Sequence, residues 1–223
     1  IPYTGDGGYY EIGIASNPVG PFVVDGTTTD KTDETYSVTG LESATTYYLV
    51  VRTFTPSHGD QKNDLTSEWS NVVSVVTDDA IYNVTTTEMA DDGTCDAANC
   101  SLIEAINAAN ADGVESTINL QNSATYSLSS VDNTTFGDNG LPLITTSIIF
   151  NGNDATITRD ESIDFLRIFY VTTSGEAEFN HINISNGVSS LGSGGIYNEG
   201  IVRVVDSAVT GHTSDDSGAA IGN

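Results

Sequence analysis

Positive charge is scarce in this 223-residue chain, where six Lys and Arg residues face 31 Asp and Glu residues, giving a formal net charge of −25. A nucleic-acid-binding protein needs the opposite sign to displace counterions from phosphate, so no nucleic-acid partner is expected. Anionic membrane surfaces are disfavoured for the same reason. The acidic excess fits a solubilising coat, a saline habitat or the uptake of divalent cations, and charge alone does not separate these three.

Long apolar runs are also missing, since 18 consecutive apolar residues occur nowhere in the chain. We therefore expect no membrane span and no signal peptide within these residues. The chain starts at Ile1 rather than Met, and we interpret it as a mature or truncated segment of a longer protein. Strong helix formers are few, whereas Thr, Ser, Asn, Gly, Val and Ile dominate, which is the composition of strands and tight turns.

Cysteine is limited to Cys95 and Cys100, with four residues between them. A metal site would need further soft ligands, but His58, His181 and His212 lie far away in sequence. A local disulfide is the better interpretation, and it implies an oxidising, extracellular compartment.

Three Asn-x-Ser/Thr sequons begin at Asn83, Asn133 and Asn183. Such sequons are acceptors for N-glycosylation in exported proteins. Because the chain is rich in Asn and Thr, this number is expected by chance. The sequons permit glycosylation without establishing it.

Residues 8 to 77 have the short strands and regular turn signals of an antiparallel β-sandwich. Breaks at Gly, Asn-Pro, Gly-Pro and Asp-Gly separate the apolar runs at intervals of about a dozen residues. The predicted strands cover residues 8–15, 22–24, 35–39, 46–55 and 70–77, and a polar loop covers 57–68.

The segment Leu41-Glu-Ser-Ala-Thr-Thr-Tyr47 resembles the fibronectin type III signature in which Leu, Thr and Tyr mark the corner before strand F. The resemblance implies a tyrosine corner, with the Tyr47 hydroxyl bonded to the backbone near Leu41. Residues 67–76 are similar to the start of strand G in the same family. The resemblance covers about residues 3 to 77, but only five of the seven expected strands are visible. The two N-terminal strands would then lie before Ile1.

After a short joint at residues 78–80 the sequence pattern changes. Ser101-Leu-Ile-Glu104 is a capping box, in which the Ser hydroxyl and the Glu carboxylate satisfy free N–H groups of a helix. It predicts one helix over about residues 102–111, with Gly113 as a natural stop.

Beyond the helix, strand patterns repeat at an offset of 25 residues. Residues 175–187 align with 200–212, and residues 194–198 align with 219–223. Such a period is typical of one coil of a β-solenoid, in which each coil buries its apolar face against the next. An earlier coil is visible at 147–157. The aligned pairs expected to stack inward are Ala177/Val202, Phe179/Val204, Ile182/Ser207 and Ile184/Val209.

The segment from Gly93 to Asn110, which contains Cys-Ser-Leu-Ile-Glu-Ala, is similar to the Cys-Ser-Leu-Arg-Glu-Ala domain at the start of bacterial and archaeal surface β-helices. Motifs at 140–144, 151–159 and 194–198 resemble the same family, so the resemblance spans roughly residues 82 to 223. It departs at Ile103, where the family has Arg. The resemblance implies a right-handed parallel β-helix that is capped by the short helix. Members of this family are large exported proteins, most of which lack an assigned activity.

Catalytic motifs are weak in this chain. Gly211-His212 and Asp215-Asp216 are similar to motifs of polygalacturonases, in which paired carboxylates act as acid and base on a glycosidic bond. The order is reversed relative to that family and its other motifs are absent. A polar turn between coils is therefore the favoured interpretation, and we predict no catalytic residue here.

Asp91, Asp92 and Asp96 are weak candidates for Ca²⁺ ligands, because closely spaced carboxylate oxygens suit this cation. The bidentate Glu of an EF-hand is absent, and no other cofactor is indicated. A calcium-dependent lyase would also need a base, but the second half holds only three arginines. Arg203 lies at an outward-facing position of its predicted strand, where we expect it to pair with an acidic neighbour.

The sequence thus predicts an all-β protein with a partial sandwich at residues 1–78 and the capped N-terminal portion of a parallel β-helix at 79–223. Two function classes remain open. One is a non-catalytic structural or adhesive module of a secreted or cell-surface protein, for example in a fibre or sheath. The other is the scaffold of a carbohydrate-active enzyme whose active site lies outside this segment. Expected partners are neighbouring subunits or further polypeptide covering exposed strand edges, with a glycan as a candidate ligand.

Overall fold

A computed structural model of the chain describes residues 5–215 and 218–223. The described residues are nearly all β, with 17 strands and one helix. The chain divides into two compact units, residues 1–78 and 79–223, at the joint where the sequence pattern changes.

The first unit is a five-stranded antiparallel sheet. In it, β1 (Tyr9–Ala15) lies between β2 (Val23–Thr27) and β3 (Thr46–Thr55), and β3 also pairs with β4 (Leu65–Thr66) and β5 (Val73–Val76). The predicted strand at 35–39 is wrong, because this segment joins no ladder. It is held by a side chain instead: the Tyr36 hydroxyl donates to Asp25 over 3.1 Å and lies where a Cβ on Gly26 would be.

Few hydrophobic side chains are buried among the described residues of the first unit. Among its described residues only Ile12 and Val50 are buried hydrophobic side chains, and Trp69 packs beside Gly13 under the guanidinium of Arg52. All five strands belong to one sheet, so the described residues do not contain the second layer of the expected sandwich. Large exposed side chains on these strands are Val23, Val24, Val51, Leu65, Val73, Val75 and Val76.

The second unit is a parallel β-solenoid, as predicted, and it has about four turns. Its first face stacks β6 (Ala80–Asn83), β7 (Ser116–Asn119), the N-terminal halves of β9 (Ser147–Arg159) and β11 (Glu176–Ser185), and β14 (Ile201–Val205). Its second face stacks β8 (Thr125–Leu128), the C-terminal halves of β9 and β11, and β15 (Ala208–Thr210). Its third face stacks β10 (Phe169–Val171), β13 (Ile196–Asn198) and β17 (Ile221–Gly222), and beside it β12 (Val188–Ser189) pairs with β16 (Thr213–Ser214).

The 25-residue offset is confirmed by the register of the last two coils. Three of the expected pairs are ladder partners, namely Ala177/Val202, Phe179/Val204 and Ile184/Val209. The fourth pair is joined through a side chain, since the N–H of Ile182 donates to the Ser207 hydroxyl over 3.0 Å. Phe179 is fully buried, and its ladder partner Val204 in the last coil is 38 % exposed.

Aromatic rings fill the solenoid core. Phe150 and Phe179, which are ladder partners, stack with ring centroids 5.1 Å apart. Phe169 from the third face lies 4.8 Å from Phe179 and 5.5 Å from Phe150. Each such pair contributes about 0.5–1.5 kcal/mol beyond the burial of its area. The three rings thereby tie adjacent coils and two faces together.

Helix α1 (Leu102–Asp112) matches the predicted helix within one residue at its C-terminus and ends at Gly113, which has a left-handed φ of 69°. Leu102, Ile106 and Ala109 follow the helical period and lie in the solenoid core. The predicted disulfide between Cys95 and Cys100 is present immediately before the helix. None of the described helical structure is long and apolar enough to cross a membrane.

Candidate functional site

The corner between the first and second faces changes in length from coil to coil. Between strands in register it spans five residues (120–124) in the first coil and four (152–155) in the next. It then spans only two residues in the following coils, 181–182 and 206–207. The longer corners project beyond the shorter ones, so the solenoid surface is concave where they meet.

This concave surface is a cavity of about 360 Å³ that we call the corner groove. Three successive coils contribute to it, and every side chain that lines it is polar. The lining residues are Asn119, Asn122, Asn151, Gly152, Asn153, Asp154, Asn180 and His181.

A ladder of asparagines runs across the coils at the edge of the first face. Asn119 donates to Asn83 over 3.0 Å, and Asn151 donates to Asn119 over 2.9 Å. Asn180 continues the column in register but donates to Glu178 instead, over 3.0 Å. An amide has two N–H donors and an oxygen with two lone pairs, so each rung keeps hydrogen-bonding capacity for a ligand.

The wall of the corner groove depends on an unusual backbone. A Cβ at Gly152 would lie 2.5 Å from the carbonyl oxygen of His181, so only glycine fits this close approach between coils. Asn153, Asp154 and His181 have left-handed φ values of 50°, 62° and 51°. Asn153 is fixed by donating to the carbonyl of Leu120 over 2.8 Å. With these backbone conformations, Asp154 and His181 both lie on the concave surface.

Ionisable groups are few in the corner groove. Asp154 is the carboxylate and His181 the imidazole among its described lining residues. His181 Nε2 lies 3.9 Å from a carboxylate oxygen of Asp206 on the next coil, and both side chains are exposed. The groove therefore offers amide donors and acceptors, one acid and one imidazole, and its described lining contains no Phe, Tyr or Trp side chain.

The three calcium candidates are occupied by hydrogen bonds of their own loop. Asp91 accepts from the N–H of Gly93 over 2.8 Å, and Asp92 accepts from the N–H of Thr94 over 3.1 Å. Asp96 accepts from two backbone N–H groups, those of Asn99 and Ala98, which lower its carboxyl pKa. In the part of the chain that the structure describes, no group of three or more acidic, His or Cys side chains could hold a metal ion. Calcium binding stays a prediction that these contacts do not favour.

His212 lies between coils rather than in an open site. Its Nδ1 accepts from the N–H of Gly187 over 2.9 Å, and its Nε2 lies 3.0 Å from the carbonyl oxygen of Ile184. Burial lowers the pKa of His212. Asp215, the nearby acid of the polygalacturonase-like motif, is exposed, and Asp216 lies outside the described residues.

The capping box and the tyrosine contact have well-defined geometry. The N–H of Glu104 donates to the Ser101 hydroxyl over 3.2 Å, and the N–H of Ser101 donates to the Glu104 carboxylate over 2.7 Å. Glu104 also accepts from the N–H of Asp92, which ties the acidic loop to the helix. In the first unit, the Tyr47 hydroxyl accepts from the N–H of Glu42, next to Leu41, over 3.0 Å.

The three sequons differ in how free their side chains are. Asn83 accepts from the asparagine ladder, and Asn133 donates to the carbonyl of Leu141 and accepts from Asn139. Asn183 is exposed on β11, and its amide makes no side-chain hydrogen bond within the described residues. Glycosylation of all three stays a prediction, with Asn183 the most available acceptor.

Two features of the second unit are not predicted by the sequence patterns. The partners in the asparagine ladder are 36, 32 and 29 residues apart, so the 25-residue repeat does not indicate them. Arg167 is fully buried, although arginine is expected at the surface. A signal for it was available, since Arg167 interrupts the otherwise apolar run at 165–171.

Comparison of the chain with protein-family models, with curated proteins and with solved structures gives no significant match. The structure alone supports the parallel β-helix. The two family resemblances rest on their sequence motifs.

Proposed function

We propose that this chain is a non-catalytic structural or adhesive module of a large secreted or cell-surface protein. The observation that carries the proposal is the stacking of successive coils in register on three faces. Coils that bond to their neighbours along a single direction make a stiff, elongated support whose side surfaces are free to present binding groups.

The disulfide and the charge support an extracellular setting. A bond between Cys95 and Cys100 persists in an oxidising compartment and is rare in a reducing cytosol. Of the 31 acidic residues, only Asp6, Glu11 and Glu176 form described ion pairs with Lys or Arg. The remaining negative charge keeps the surface soluble and hydrated.

Exposed apolar side chains support partners in an assembly. Val73 and Val76 on β5 are each 62 % exposed, and Val23 on β2 is 66 % exposed. Exposed apolar surface of this kind is where neighbouring subunits attach.

Surface labelling of the source cells tests this proposal. An antibody against the chain should stain intact cells, and brief treatment with an external protease should remove the staining. A cytosolic protein stained in parallel is the control and should appear only after permeabilisation. Staining that requires permeabilisation, or that survives the protease, would refute the proposal.

A carbohydrate-active enzyme scaffold is the second candidate. The observation that favours it is that Asp154 and His181, an acid and an imidazole, line one polar groove. The test is incubation with pectate, cellulose and chitin, followed by assays for new reducing ends and for unsaturated products. We expect no product. Product formation that is lost in Asp154→Asn would support the enzyme instead.

A further inference from the structure

We propose that the corner groove binds a neutral, linear oligosaccharide lying along the solenoid axis. The inference rests on the proposed adhesive function and adds the chemical class of ligand and its binding site. It is carried by the cavity of about 360 Å³ and by the amide groups that three successive coils present to it.

The hydrogen-bonding groups of the groove match a ligand rich in hydroxyl groups. A hydroxyl both donates and accepts, and so does an asparagine amide. Asn119, Asn151 and Asn180 present such amides from three consecutive rungs, and Asn122 adds a fourth from the projecting corner. The ladder bonds between Asn119 and Asn151 hold these groups at fixed positions before any ligand arrives. Such preorganisation reduces the entropy cost of binding.

The spacing of the rungs suits a repeating chain. Adjacent parallel strands lie about 4.7–4.9 Å apart, so equivalent amides recur along the axis at this interval. This distance is close to the length that one pyranose ring adds to an extended polysaccharide. Three rungs would therefore contact a short run of successive sugar residues. The volume lies within the range of roughly 300–1,000 Å³ that is typical of small-ligand sites.

Charge selects neutral sugars over acidic ones. Asp154 lines the groove, Glu178 is bonded to its Asn180 rung, and Asp206 faces His181. On a chain with a net charge of −25, a polyuronate would meet repulsion from every side. The described lining has no Phe, Tyr or Trp ring for stacking, so most of the affinity must come from hydrogen bonds exchanged with water. We expect weak binding, with a Kd of roughly 0.1–1 mM.

The experiment uses the full 223-residue protein with cellohexaose and chitohexaose as probes, and ligand binding is followed by saturation-transfer NMR and calorimetry. Hexagalacturonate is the acidic comparison and should bind at least about tenfold more weakly. Asn122 is exposed, so Asn122→Trp should fold normally and fill the groove. We expect this variant to weaken binding at least about tenfold. Asn183→Trp, at an exposed position on the second face, is the matched control and should bind like the parent.

A second variant tests the chemistry without filling the space. Asp154→Asn preserves size, and asparagine tolerates the left-handed backbone at φ 62°. Replacing one acceptor in this way should change affinity for the neutral hexasaccharides by about two- to tenfold. It should also reduce the discrimination against hexagalacturonate.

Three results would overturn the inference: no binding of either neutral hexasaccharide, equal weakening by Asn122→Trp and Asn183→Trp, or tighter binding of hexagalacturonate. Each leaves the proposed function intact if surface labelling is positive. Conversely, release of sugar products would refute the non-catalytic proposal while the binding site remained.

Discussion

Arg167 donates from Nη1 to the side-chain oxygen of Asn139 over 2.9 Å, and neither side chain is exposed to solvent. The other N–H groups of this guanidinium go to neutral acceptors, and the rings of Phe136, Tyr170 and Tyr197 lie 5.0–5.8 Å from it. Burial lowers the pKa of Arg167. Within the described residues no carboxylate lies at ion-pair distance, so a buried cation is held by neutral groups alone. The neutral acceptors are the carbonyls of Phe136, Leu191 and Ser193 and the hydroxyl of Ser189.

Arg167→Lys should destabilise the solenoid by about 3 kcal/mol or more, because lysine has three N–H donors and cannot reach all five acceptors. Urea unfolding of the second unit measures the change. Arg203→Lys is the matched control, since Arg203 forms an exposed ion pair with Glu176 and should change stability by less than about 1 kcal/mol. Equal effects of the two substitutions would contradict the role assigned to Arg167.

Loss of the disulfide should lower the free energy of unfolding by about 2 kcal/mol, the value expected for closing so short a loop. Cys95→Ala removes the bond at a partly exposed position, whereas Cys100→Ser also places a hydroxyl in the core and should cost more. Intact-mass analysis with and without reductant first establishes the bond. Two alkylatable thiols in the native protein would contradict it.

Core substitutions should lower the stability by different amounts in the covered coil and in the last coil. Phe179→Ala removes a fully buried ring that contacts Phe150 and Phe169, so we expect a loss of about 3–5 kcal/mol. Val204→Asp should cost less, because its partly exposed side chain lets the carboxylate reach water. Thermal melts followed by circular dichroism compare the two. A larger loss from Val204→Asp would mean that β14 is covered in solution.

The solenoid should lose stability as the pH falls below about 6.5, the usual pKa of histidine in an unfolded chain. Burial lowers the folded-state pKa of His212, so the folded state resists protonation. The neutral form is favoured on folding, and its contribution is complete above pH 6.5 and is lost as the pH falls through the lowered folded value. A protonated Nδ1 could no longer accept from the N–H of Gly187.

Melting temperatures from pH 5 to 7.5 measure this effect. His212→Gln should flatten the curve, because its amide does not titrate. His181→Asn, at an exposed position that tolerates asparagine, is the matched control for the loss of a histidine. A parental slope in His212→Gln would assign the pH dependence to another group.

Sequence reasoning succeeded where neighbouring coils have equal length. The 25-residue repeat predicted the register of β11 with β14 and β15, because apolar residues must align when turns are identical. The helix was predictable because its cap, Ser101 with Glu104, and its stop, Gly113, are local signals.

The candidate site could not be predicted in the same way. Its groove exists because successive corners have unequal lengths, which removes the constant offset that alignment needs. The failed strand at 35–39 has a suitable alternating pattern, but pairing depends on a neighbouring edge that local sequence does not encode. The hydrogen bonds of Arg167 reach up to 31 positions away in sequence, to Phe136, which no short motif records.

Each coil of the solenoid bonds only to the adjacent coils, and this determines how the solenoid responds to pulling. One coil of 25 residues adds about 4.8 Å along the axis when folded but reaches roughly 85 Å when stretched out. A load that peels coils singly would therefore release about 80 Å when this 25-residue coil yields, and more when a longer coil yields, while the remaining stack stays bonded. Single-molecule stretching should show this as a staircase, whereas one large jump would mean that all coils rupture together. A chain that yields by steps dissipates a sudden load without unfolding completely.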